Sequence, residues 1–269
     1  MTDKTKATQQ RIIIAMKEYE KSLRAEFELT IKNWPHNLRD KTVSRVLGSL
    51  LARQITITIQ LVNDPNLWNP HMGPLLLRTL LENWLKIEWI LLSPQQRANG
   101  IAKSDLVGAK KRLEQMANLT KEENAKAHAK QLIAMMEREE AFFSSQAKTI
   151  MTDVRDMAKK AGGKALIAYR RHGVHFGSCA HSSWHHLARF NLIIDPNPLH
   201  RYLFVPMWEE VPSVDPNYPL LAAEYCSNAM DAVLKPSQSN QQKSYSQLLS
   251  CLQTLGIFED LPIDSEGEI

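Results

Sequence analysis

Residues 75–92 are nearly all apolar, with Arg78, Glu82, Lys86 and Glu88 as the only ionisable groups. Four such groups inside a bilayer would be very costly, so the stretch reads as a buried helix and no membrane span is expected. Pro74 stands at its start, a position that suits proline. Arg78, Glu82 and Lys86 recur every fourth residue and share one helix face, so Arg78 and Glu82 can pair. Two readings fit that line. It is a solvent-facing stripe whose salt bridge is worth under about 1 kcal/mol, or it lines a polar cavity where an apolar surround strengthens its field.

Helical periodicity covers most of the remaining chain. Ile12, Met16, Tyr19, Leu23, Phe27 and Ile31 mark a first helix that Pro35 ends. Val43, Val46, Leu47, Leu50 and Leu51 mark a second, reaching Val62. Its Ile-Thr-Ile-Thr-Ile end (55–59) alternates like a strand, but a lone strand would have no partner, so it is read as helical. Residues 63–70 read as a loop from their turn residues. Ser93 and Pro94 open a fourth helix. Thr120 and Glu123 have capping-box spacing for a charged helix running to about Lys160, where Gly162 and Gly163 break it. The next segment is read as helical on both sides of Gly173, ending near Leu192. A long irregular segment near 194–219 follows, then a helix to Leu234, a polar linker (236–242), a last helix from Ser244 to Leu255 and an acidic tail (259–269) read as disordered. The class is all-α, a helical bundle. The expected division is an N-terminal helix (1–38), a helical core domain (39–235) and a C-terminal helix with acidic tail (236–269).

Composition narrows the class of function. The chain has 269 residues, is 43% apolar and carries a net charge of +4. That permits contact with nucleic acid without demanding it. Cys179, Cys226 and Cys251 are few and widely spaced, so reduced thiols and a cytoplasmic location are expected. The first residues carry no apolar leader pattern. There is no GxGxxG, P-loop, nucleophile elbow or CxxC.

Chemistry concentrates between Tyr169 and His186, which hold five of the nine histidines, two arginines and a cysteine. Arg170 and His175 match Arg-x4-His, a type of motif that this composition, with three spacings allowed, produces by chance roughly 1.4 times. It is the type of motif that helical ribonucleases of the HEPN class use, with histidine as acid or base and arginine on the phosphate. His181 with His185, or His172 with His175, have the spacing of metal-ligand pairs, with Glu82, Cys226 or His200 as a third ligand. Cys179, four residues after His175, could form a Cys–His pair. The plain alternative is that these histidines are hydrogen-bonded residues at the core edge.

The stretch from Leu77 to Arg97 has Arg78-Thr-Leu-Leu-Glu82, Trp89-Ile and Pro94-Gln-Gln-Arg97. It resembles the hallmark of the bacterial family called domain of unknown function 5677. His181-Ser-Ser-Trp184 and Asn197-Pro-Leu-His200 resemble that family's later histidine motifs, and the likeness covers roughly residues 40–205. The chain departs from the pattern at Gly177, where the family has a serine, and at Tyr202 and Leu203, where it has a histidine. The resemblance implies that Arg78, Glu82, His181 and His200 converge in one cavity. It places the chain near families linked to mobile elements and antiviral defence.

The expected function is a metal-independent, toxin-like ribonuclease that needs no cofactor. His181 or His175 would be the acid or base, Arg78 or Arg170 the phosphate clamp, and Glu82 an orienting group. His200 would close the pocket. RNA would be the partner, and a homodimer the assembly by analogy with the HEPN class. A binding or regulatory module with a structural polar cluster is the alternative; a metal-dependent hydrolase is the third.

Overall fold

The structure is a computed structural model and describes residues 3–34, 41–140, 152–200, 203–207, 213–234, 243–255 and 257. The expected helix stop at Pro35, the linker 236–242 and the acidic tail lie outside these. Ten α-helices and one two-stranded sheet are present among the described residues. The fold is all-α.

The apolar segment forms α3 (Gly73–Leu91), and Leu77, Leu80, Leu81, Trp84, Leu85, Ile87 and Ile90 on it are at most 2% exposed. Such a helix needs neighbours on several sides. It has them in α2 (Lys41–Asn63), α6 (Val154–Ala161), α7 (Gly163–Ala180) and α9 (Asn217–Leu234). The start of α3 is held by its loop: the Asn69 side-chain oxygen accepts from the His71 and Met72 backbone N–H groups, both at 2.9 Å. Its end is closed by Arg97, on α4 (Pro94–Leu119), which donates to the Trp89 carbonyl at 2.5 Å and lies 4.5 Å above the Trp89 ring. A cation at a helix C-terminus satisfies free carbonyls and the dipole, so the Pro-x-x-Arg motif has a structural role.

Ile55 to Ile59 are helical in α2, with Ile55 and Thr58 buried and Thr56 exposed. Packing overrides the β propensity of the run. α1 (Asp3–Lys32) and α10 (Ser244–Thr254) pack on each other, and their buried side chains join the same hydrophobic core as α2, α3 and α9. Glu26 of α1 accepts from the Ser244 N–H at 2.9 Å, capping α10.

Several expectations are corrected. Thr120 does not open a capping box. It ends α4, donating its N–H to the Met116 carbonyl, and α5 (Glu123–Glu140) starts three residues later. The charged helix does not run to Lys160 as one rod, because α6 begins afresh with Asp153 capping the Arg155 N–H. The break at Gly162 and Gly163 is as expected, with φ of 69° and 49°. Gly173 does not interrupt α7. The Tyr169 ring lies where a β-carbon would go. The break falls at His181–Ser183, where Ser182 has φ 49°, before α8 (Trp184–Phe190). The segment near 194–219 holds a hairpin, with β1 (Leu192–Ile194) antiparallel to β2 (Phe204–Pro206) and Ile193 opposite Val205.

Candidate functional site

The predicted site residues separate into groups. Arg78 donates from Nε to Glu82 at 2.8 Å, and their side chains are 30% and 35% exposed. The pair is therefore neither a free stripe nor a sealed cavity. It sits at the α3–α7 contact, where Nη1 of Arg78 is buried without a partner among the described residues. That nitrogen is 3.3 Å from where a β-carbon on Gly177 would stand. His181 is exposed at the end of α7 and donates its N–H to the Gly177 carbonyl at 3.0 Å. The backbone thus brings His181 to within one turn of the Arg78 contact.

His200 is held elsewhere. Its ring lies 2.8 Å from Asp195 and 3.4 Å from Asn197, within its own turn, and it is exposed. Among the described residues no hydrogen bond or ion pair joins it to Arg78 or Glu82. Arg170 is exposed and five positions before His175, about 140° around the helix. The two point to different faces.

The other histidines gather where α7, α8 and the loop before α3 meet. The His71 and His186 rings stand edge-on at 5.5 Å, and Phe190 lies 6.1 Å and 5.0 Å from them. His186 is buried, and burial first, then His71, His175 and His185, push its pKa down. His175 stands at the open edge. Burial, then Arg189 and His185, lower its pKa, against an opposing pull from Asp215. Arg189, His185 and His175 are all exposed. The sequence reading missed His71, Arg189 and Asp215 as members of this group. The only local signal was the density of basic residues after Gly173, because His71 is about a hundred residues upstream.

The Cys179 thiol faces the loop before α3. It lies against the carbonyls of His71 at 3.4 Å and Pro70 at 3.6 Å, and burial raises its pKa. A thiol held so is packing, not a poised nucleophile. Among the described residues no three His, Cys, Asp or Glu side chains converge as metal ligands.

α7 and α9 both pack on α3, and openings between them are lined by residues within 163–165 and 228–232 and by residues within 168–172 and 224–225, so the two helices run in opposite directions along a seam. At one end Lys164, Gly163, Trp84, Glu88, Asn228 and Asp231 line an opening of about 410 Å³. In the middle Lys164, Arg171, His172, Glu224 and Tyr225 line a cavity of about 20 Å³. His172 is stacked on Phe176 at 5.5 Å and 11°, and burial lowers its pKa to about 4. At the far end stand His175, Arg189 and Asp215.

Fold and site together define a helical bundle with an arginine- and histidine-lined seam, in which no helix among the described residues is long and apolar enough to cross a membrane. The chain belongs to the family of unknown function DUF5677, whose model matches residues 44–197. No curated protein and no solved structure matches it. The matched span holds Arg78, Glu82, His175, His181, His185 and Arg189, and stops before His200 and α9.

Proposed function

We propose that this protein cleaves single-stranded RNA without a metal, at the His175 end of the α7–α9 seam. One observation carries the reading: His175, His185 and Arg189 share one solvent-open patch, close enough for both neighbours to lower the pKa of His175. Metal-independent RNA cleavage needs a base, an acid and a cation at one phosphate. His175, kept neutral at pH 7, takes the proton from the ribose 2′-hydroxyl. The 2′-oxygen then bonds to phosphorus, and the bond from phosphorus to the 5′-oxygen breaks. His185 donates its proton to that leaving oxygen, giving a 2′,3′-cyclic phosphate and a free 5′-hydroxyl. Arg189 neutralises the charge on the non-bridging oxygens. Arg78, paired with Glu82 at the α3–α7 contact, positions α7 rather than meeting substrate.

The test is a labelled RNA oligonucleotide incubated in the presence of a chelator. Wild type should release a cyclic-phosphate product, and His175→Gln and His185→Gln should each lose at least about a hundredfold in rate. No cleavage by wild type, or equal cleavage by the variants, sinks the reading.

A second reading is a non-catalytic helical module. It is favoured by the engagement of Arg78 with Glu82, which fits a network fixing helix register. A Glu82→Ala variant that melts lower, in a protein without cleavage activity, would support it. The proposed location is the cytoplasm, in keeping with three unpaired cysteines. The proposed assembly is a homodimer, which light scattering tests directly.

A further inference from the structure

We infer that the small cavity midway along the α7–α9 seam seats one oxygen of a phosphate group of an RNA strand, a binding subsite about one helical turn from His175. The inference rests on the cleavage reading for the identity of the strand, but its geometry is independent of that reading. The cavity measures about 20 Å³, room for one water-sized group such as a single phosphate oxygen. Tyr225 lines it and is 1% exposed, and its hydroxyl is buried with no partner among the described residues. The Tyr225 ring is stacked on Trp84 at 5.7 Å, which fixes where the hydroxyl points. Arg171 and Glu224 line the same cavity beside Tyr225. A buried hydroxyl without a partner is rare and calls for an explanation.

The lining has the chemistry of an anion seat. His172, between Phe176 and the edge of the Tyr225 ring at 6.3 Å, is neutral near pH 7 and has one ring N–H to donate. Lys164 and Arg171 bring two positive charges and Glu224 one negative, leaving one net positive charge. That matches the single charge of a phosphodiester better than the double charge of free phosphate. Lys164, Arg171 and Glu224 also have interactions with neighbours of their own, so the seat is held in shape. His172 and His175 are three residues apart on α7, so adjacent phosphates of one strand can reach both places.

The experiment uses the full chain and a five-nucleotide RNA with every 2′-hydroxyl methylated, which binds but cannot be cleaved. Binding is measured by calorimetry, with inorganic phosphate as a second ligand. Wild type should bind the RNA. Tyr225→Phe and Arg171→Gln should each bind about tenfold more weakly, with the melting temperature of Tyr225→Phe unchanged. Equal RNA binding by Tyr225→Phe and Arg171→Gln overturns the seat, whatever the cleavage assay gives. A clear drop in melting temperature for Tyr225→Phe, without weaker binding, assigns the hydroxyl to an internal water and overturns it too. Binding of inorganic phosphate but not of the RNA overturns the assignment to a strand. Tyr225-dependent RNA binding in a protein that never cleaves RNA leaves the seat standing and removes only the cleavage reading.

Discussion

His172 is the residue where burial acts most plainly on charge. Its folded pKa, about 4, lies below the ordinary 6.5. The unfolded chain therefore binds more protons between those values, and stability must fall as pH drops through that window. His175 and His186 shift in the same direction, so they add to the slope. The expected result is a melting temperature that is level above about pH 7 and declines towards pH 4. His172→Gln should decline less steeply, as scanning fluorimetry at a series of pH values would show. An identical slope in the variant would mean that other groups set the acid sensitivity. Gly177 makes a related point. The position next to the Arg78 guanidinium has no side chain to displace it.

Among elements, α3 depends on a close approach at its first residue. A β-carbon on Gly73 would collide with the Tyr218 ring at the start of α9. Tyr218 is itself buried, so it has little room to move. Gly73→Ala is expected to cost about 1–3 kcal/mol through overpacking, read as a lower urea midpoint with an unchanged slope. A midpoint equal to wild type would show that the α3–α9 junction relaxes freely. The hairpin is the opposite case. Ile193, Ile194, Leu203 and Phe204 are all exposed, and two strands alone bury little.

The whole molecule is tied together by one core that reaches from α1 to α10. Leu248 of α10 is 2% exposed and belongs to it. Leu248→Ala should therefore destabilise the protein by about 2–5 kcal/mol, and unfolding should remain a single transition. A separate early transition on chemical denaturation would show instead that the C-terminal helix melts on its own.

Much of the helical layout was legible in the sequence, because helices are local. The 3.6-residue rhythm marked α1, α2 and α3, paired glycines marked the break before α7, and the four-residue spacing of Arg78 and Glu82 marked a pair that does form. Where local signals competed, the sequence misled. Thr120 had the right residue three positions on, yet its N–H closes α4, and only its hydroxyl reaches forward, accepting from the Glu122 N–H before α5. The hairpin hid among prolines and turn residues.

The dense run from Tyr169 to His186 located the chemistry but not its partners. Which histidines meet depends on chain segments about a hundred residues apart, as with His71 and His186. Whether an ionisable group is charged depends on what buries it, as with His172 between two aromatic rings. By itself the sequence determined most of the helices and the spacing of polar groups along each one, because those follow from neighbours along the chain. Only the tertiary structure decided that Arg78 is half-buried against Gly177, that His200 bonds to Asp195 within its own turn, and that the Tyr225 hydroxyl is buried without a partner among the described residues. Burial and pairing of this kind are set by residues distant in sequence.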